Sequence, residues 1–432
     1  MNELKALINA CIYDFQNFKK DQYVLFDSEI KEVGSMKNFP GADEIYDCSH
    51  TLVMPGLINC HTHIYSTFSR GMNVPFNPIT FQDILSQLWW RLDGKLNKND
   101  VYYSGLVYGI DCVKNGVTSI IDHHASGLDI KGTLNELKKG VCDDIGLRGI
   151  FCFETSDRFN IDECIEENLE FAKGKSEKYA GLFGLHASMS LSDETLDKVS
   201  RNIGNIPIHI HVAESEEDEI HSKKIYGKYI VERLDGFNLL KSNSILAHCV
   251  HINEKEAELI SKRGCYIAMN PTSNMNNAVG LADYEMIKSY GIPCIIGNDG
   301  LGVNITRDFS NLVFAMKNRL NGPTKFGLDD MNQCINNGYK YISNILNIKI
   351  GRIEKGYKAD MITIPYIPPT PMEDDNILGH IFFGVFDNFH PRDTWCNGEC
   401  LMRNYKVSID DKNIALEAEK LAEKLWNRIN KD

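Results

Sequence analysis

The stretch "GLINCHTH" (56–63) is a short apolar run that ends in two histidines one residue apart. On a β-strand alternate side chains share a face, so His61 and His63 project together while Thr62 points away. Two imidazoles on one rigid element make half of a metal site, because transition metals favour such nitrogen donors. An HxH at a strand end is, taken alone, an ordinary pair of polar residues. The rest of the chain has to supply the missing ligands.

Seven further runs of the same type follow. They are "VTSIIDHH" (117–124), "LRGIFCFE" (147–154), "GLFGLHAS" (181–188), "IPIHIHV" (206–212), "SILAHC" (244–249), "GCYIAMN" (264–270) and "IPCIIGND" (292–299). Helical patterns fill the gaps. "NDVYYSGLVYGIDCVKNG" and "INEKEAELISKRG" both end at the glycine expected just past a helix C-terminus. Eight strands alternating with helices over residues 56–350 predict an α/β fold, a (β/α)8 TIM-like barrel. A doubly wound open sheet is the alternative.

The flanks read differently. Residues 1–55 hold short alternating runs, "KALINACIYD" and "YVLFDSEIKEVG", and residues 351–432 begin with stretches of the same character. Each end would leave an apolar face bare, so the two are expected to form one small composite β-sandwich lobe. The last segment is a helix with Ile414, Ala418, Leu421, Leu425 and Ile429 on one stripe. Residues 365–371, with four prolines, read as a connector.

Composition limits the function classes. At 432 residues with 43% hydrophobic and 24% charged residues the chain is globular in type. A net charge of −13 argues against a nucleic-acid partner, which would need a basic patch. The N-terminus lacks a signal-peptide pattern, and no window approaches the roughly 18 apolar residues of a membrane span. The thirteen cysteines are scattered through apolar contexts and read as free thiols, so a cytoplasmic protein is expected. Room is left for a homodimer.

In such barrels catalytic residues sit at the C-terminal ends of the strands. Strand one ends in His61 and His63, strand five in His211 followed by Glu214, strand six in His248 and strand eight in Asp299. Strand two delivers His123 and His124, and strand four His186. Seven of the thirteen histidines thus fall at strand ends, which a surface scatter would not produce. His61, His63, His211 and Asp299 make a natural ligand set for one divalent metal with room left for water. Such a metal makes hydroxide available near neutral pH, Glu214 is placed as general acid/base, and His248 could orient the water or stabilise an oxyanion. His209 shares the parity of His211 but lies deeper, as an interior-layer residue. Glu214 opens the run "ESEEDE", of which the remainder reads as a solvated acidic face.

These stretches resemble the amidohydrolase superfamily, in its aminohydrolase and chlorohydrolase branch of guanine deaminase and triazine hydrolase type. The features that carry the resemblance are "MPGLINCHTH", "HIHVAE", "AHCVHI", "NPTSN" and "IGNDG", in order along the barrel. Within the branch, "LWWRLDGKL", "GLHASMSLSDETL" and "PPTPMEDDNILGHIFFG" are similar to SsnA-type aminohydrolases. Thr62 stands where that subgroup would have Asn. The resemblance implies a barrel plus β-sandwich, one catalytic metal with zinc first and iron or manganese as alternatives, and hydrolysis of C–N bonds, usually deamination of a nitrogen heterocycle. It puts the ligands on His61, His63, His211 and Asp299, the proton-shuttling carboxylate on Glu214, the active-site histidine on His248 and a substrate contact on His186.

The leading expectation is therefore a metal-dependent aminohydrolase of a small purine-like or purine-derived heterocycle. Opening of a cyclic amide or ureido compound is the second; relatives of that type bridge two metals with a strand-four lysine, which "GLFGLHAS" lacks. A non-catalytic metal-binding accessory protein is the third, and it would need neither Glu214 nor His248. Around the substrate, His186, His124, Arg70 and Trp90 are the expected contacts, the last two from a lid spanning 64–93.

Overall fold

The structure, a computed structural model, describes residues 3–431. Eight parallel strands form the barrel: β1 (Leu57–Thr62), β2 (Val117–His124), β3 (Arg148–Phe153), β4 (Phe183–Ala187), β5 (Ile208–Val212), β6 (Ile245–His248), β7 (Tyr266–Met269) and β8 (Cys294–Ile296). Every residue of every one of these strands is buried. That is the pattern of a parallel wall packed by helices outside and side chains inside, and it explains why the runs read as continuously apolar.

The wall forms two hydrogen-bonded arcs. The first runs β1–β2–β3 and ends on a short strand, Tyr179–Gly181; the second runs β4 to β8. Leu182 joins the short strand to β4, and the bridge Thr155–Leu185 continues the wall across the bend. At the other seam Thr62 pairs with Asp299, and Asn298 and Asp299 N–H groups donate to His61 O. Gly297 permits this approach, because a Cβ there would sit 2.6 Å from His61 O. The Thr62 hydroxyl also donates to Asp299 O at 2.9 Å, so the residue that points away from the inner face fastens the first strand to the last.

Helices cap as their sequences suggest. Helix Lys98–Lys114 starts at Asn97, whose side chain accepts from the Asn99 and Asp100 N–H groups, and it ends before Gly116 at φ 66°. Both chain ends build one nine-stranded sheet, joined where Thr51–Pro55 pairs antiparallel with Met361–Pro365. The sheet encloses its own apolar core around Val24, Phe26, Val53, Met361 and fully buried Trp395. The final helix, Asp411–Ile429, packs on Lys98–Lys114 of the barrel instead of on this sheet, burying Ala418, Leu425 and Ile429. Among the described residues no helix is long and apolar enough to cross a membrane, and the thirteen cysteines are free.

Candidate active site

The C-terminal ends of the strands converge on one cavity. Its floor presents His63, His211, Glu214 and Asp299, and its walls Tyr65, Trp89, Trp90, His186 and Met189. One ligating atom from each of His61, His63, His211 and Asp299 lies within 4.8 Å of the others. His63 Nε2 is 3.1 Å from His211 Nε2 and 3.0 Å from Asp299 Oδ1, and His61 Nε2 is 3.6 Å from the same oxygen.

The donor set fits one divalent ion. His61 Nε2 is buried without a hydrogen-bond partner. The opposite nitrogen of each ring is engaged: His63 Nδ1 donates to His123 O at 2.7 Å, His211 Nδ1 donates to His186 O at 2.9 Å, and His61 Nδ1 meets His209 Nε2 at 2.8 Å. The two carbonyl acceptors place the Nδ1 protons of His63 and His211, and all three Nε2 atoms face inward, the arrangement that orients ligating imidazoles. A second group, His63, His123, Glu154 and His211, is equally compact. Its His123, however, faces oxygen on both nitrogens: Glu154 Oε1 at 2.9 Å, and Leu185 O and His209 O at 3.1 and 3.0 Å. Both of its nitrogens are thus engaged by protein oxygens.

Backbone strain marks the same rim. Ala213, His248 and Asp299 adopt φ of 48°, 72° and 57°. Left-handed backbone at non-glycine residues is costly and collects at functional sites. At Asp299 and His248 it turns the side chain back over the barrel mouth. Asp299 Oδ2 accepts from the Ser273 hydroxyl at 2.5 Å. Burial alone would raise Asp299, but His61 and His63 hold its carboxyl well below the usual range.

Glu214 lies beside this cluster, 3.5 Å from His248 Nε2 and 3.5 Å from Asn277 Nδ2. Burial pushes its carboxyl up to about 7, opposed by His248 and helped by Asp299, so it can exchange a proton near neutrality. His248 Nδ1 is tied to Asn274 Oδ1 at 2.7 Å, which directs Nε2 toward Glu214. His186 contacts Ser190 Oγ through Nδ1 at 2.6 Å and lies edge-on to Trp90.

Two of the expected substrate contacts are elsewhere. Arg70 follows a tight turn over Ile64–Ser69, points outward and pairs with Asp111 at 2.8 Å. His124 is fully buried against Tyr65 and Phe153, with Nε2 on Ser126 Oγ at 3.0 Å, and does not reach the cavity. Neighbours on one strand face opposite sides, so His123 and His124 cannot share a role, and packing removes both from the cavity surface. The lid is a helix over Phe81–Asp93 widened by a π-turn at Leu85–Trp89. It sets Trp89 and Trp90 over the cavity, with Trp90 Nε1 buried and unpartnered.

Three cavity carboxylates were not legible as site residues. Glu154 directly follows β3 in the run "GIFCFE"; burial alone would raise it, but His186, His123 and His63 hold it well below the usual range. Asp93 closes the lid helix and takes a bidentate pair from Arg158 at 3.0 and 2.9 Å. Asp218 belongs to the acidic run and is only 3% exposed. The one signal for Glu154 was its place at a strand end; Asp93 and Asp218 had none.

The model of the Amidohydrolase family matches residues 52–401. The chain is 30% identical to a 5'-deoxyadenosine deaminase of Methanosarcina mazei, covering 96% of each. It is 28% identical to a 5-methylthioadenosine/S-adenosylhomocysteine deaminase of Desulfitobacterium hafniense, over 91% of this chain and 90% of that one. In fold it is similar to an adenosine deaminase from Xanthomonas campestris solved with bound zinc, at a TM-score of 0.85 and 18% identity over 100% of this chain and 99% of the other. With the family's model spanning the barrel and part of the lobe, and a relative of this identity aligned end to end, the chain belongs to the amidohydrolase family.

Proposed function

We propose that the chain deaminates a 6-aminopurine nucleoside or a close purine-like heterocycle, with zinc as its divalent ion. The broader statement, a metal-dependent aminohydrolase acting on a nitrogen heterocycle, follows from the family and from relatives named as deaminases of adenosine derivatives. The observation that carries the reading is the cluster of three inward Nε2 atoms and the Asp299 carboxylate beside Glu214, under a lid of two indoles. Zinc is supported by the nitrogen-rich donor set and by the zinc-bound structural neighbour. The free buried thiols support a cytoplasmic setting.

In this mechanism His61, His63, His211 and Asp299 would hold the ion, which would supply the Lewis acidity that makes water nucleophilic near neutral pH. Glu214 takes the water proton and delivers it to the departing nitrogen. His248, fixed by Asn274, donates to the oxygen as charge develops there. His186 orients the ring from the opposite wall, and Trp89 and Trp90 lie against its face and exclude water. The cyclic-amide and ureido readings have no observation in their favour, since β4 presents His186 and no lysine.

Ammonia release from adenosine, 5'-deoxyadenosine, 5-methylthioadenosine and guanine tests the proposal. Turnover of a 6-aminopurine compound that disappears on chelation and returns with zinc is the expected result. Ring opening of a cyclic amide with no ammonia from any purine would overturn it.

A further inference from the structure

Five carboxylates line the cavity: Asp93, Glu154, Glu214, Asp218 and Asp299. Four of them have side-chain partners on the protein. Asp299 faces the ligand histidines, Glu154 takes His123, Glu214 faces His248 and Asn277, and Asp93 holds Arg158. Asp218 has no side-chain donor. It sits in the first turn of helix Glu216–Tyr226, 3% exposed, with the Ala213 and Met189 backbone serving its carboxylate and Oδ1 buried without a hydrogen bond.

The cations nearby are committed. Arg158 grips buried Asp93 bidentately and stacks over Trp90 and Phe159, 5.0 and 4.7 Å from their centres. Turning it toward a ligand would leave Asp93 buried and unpaired. Arg233, the cation that acts on Asp218, is 1% exposed and gives its guanidinium to Asp193 at 2.8 Å, to Ser188 at 3.0 and 3.1 Å and to Leu191 O at 2.6 Å. Among the described residues, no Lys or Arg lines the cavity.

We infer that Asp218 is a specificity-determining residue which accepts a hydrogen bond from a neutral or cationic substituent of the substrate, a hydroxyl or a protonated amine, and that the cavity rejects anionic ones such as phosphate esters. The inference rests on the deaminase reading for the heterocycle but not for the substituent. A buried acceptor without a hydrogen bond is costly, and on a cavity wall a ligand's donor can remove that cost. A phosphate brought beside Asp218 meets like charge with no free cation, a juxtaposition that weakens binding. Burial, reinforced by Glu214, also pushes Asp218 up to about 7, so a positive partner would draw out its charged form near neutrality.

The test is calorimetric binding, to the metal-loaded protein, of three compounds that differ only at the 5' position: adenosine, 5'-amino-5'-deoxyadenosine and adenosine 5'-monophosphate. The phosphate is expected to bind at least about tenfold more weakly than the other two, a gap of about 1.4 kcal/mol. Asp218→Asn should narrow that gap and remove any advantage of the amine over the hydroxyl, with metal content unchanged. Equal or tighter binding of the phosphate, a gap unaltered in Asp218→Asn, or no binding by any of the three overturns the inference. Ammonia release is read in parallel. A wild-type preference for the neutral and cationic compounds without ammonia overturns the deaminase reading and leaves this one standing.

Discussion

His209 Nε2 lies 2.8 Å from His61 Nδ1, one layer below the metal cluster and 0% exposed. His209 Nδ1 in turn approaches Cys152 Sγ at 3.8 Å, so His209 is held from below and orients the His61 ring toward the cluster. His209→Leu should therefore leave the barrel folded and weaken metal binding about 10–100-fold, the usual effect of losing a ligand's orienting partner. Competition with a chelator of known affinity measures it. Unchanged affinity would show that the contact is packing alone.

One ion per chain is the expected stoichiometry, because in the second compact group both His123 nitrogens are already engaged by protein oxygens. His61→Ala and Asp299→Ala should each remove the ion and the activity while the far-ultraviolet circular dichroism stays native. Elemental analysis showing two equivalents at full activity would refute the single-ion site.

Glu214→Gln should keep the ion and lose about 10²–10⁴-fold in kcat, the range of general acid/base contributions. His248→Asn should show a loss of the same order with metal content intact. A Glu214→Gln rate above about a tenth of the wild type would remove the residue from proton transfer, since that is far outside this range.

Asp308 gives a stability prediction. It is 0% exposed with Oδ2 lacking a hydrogen bond and only a 3.7 Å ion pair to Arg307, and burial pushes it up to about 7, against weaker opposing contacts from Thr272 and Arg307. Its folded value lies above the unfolded one near 4, so the native state binds the extra proton between those limits. The stabilisation is complete below about pH 4 and is lost as pH rises through about 7, on the order of a few kcal/mol. Asp308→Asn cannot titrate, so its urea midpoint should vary less between pH 5 and 8 than that of the wild type. Equal slopes would contradict this.

The sequence by itself determined the barrel and the rim of histidines, since both follow from short-range regularities. A buried parallel strand shows as a run of apolar β-branched residues, and the period of two shows which residues share its inner face. His61 and His63, or His209 and His211, can thus be paired without coordinates. The halves of the lobe were legible for the same reason, each end carrying an apolar face without a mate.

Tertiary structure alone decided what surrounds that rim. Arg70 is only seven residues past His63, yet the turn over Ile64–Ser69 directs it to Asp111 on a helix outside the barrel. His124 is turned away because its neighbour, His123, takes the inner face and is sealed beneath Glu154. Asp218 looks like its solvated neighbours in "ESEEDE", but the helix turn that starts at Glu216 rotates it inward over Glu214's side of the cavity. Asp93 and Arg158 are 65 residues apart and meet only because the lid helix folds over the end of β3. Charge placement depends on how loops and helix turns pack across long sequence separations, and no local periodicity encodes that direction.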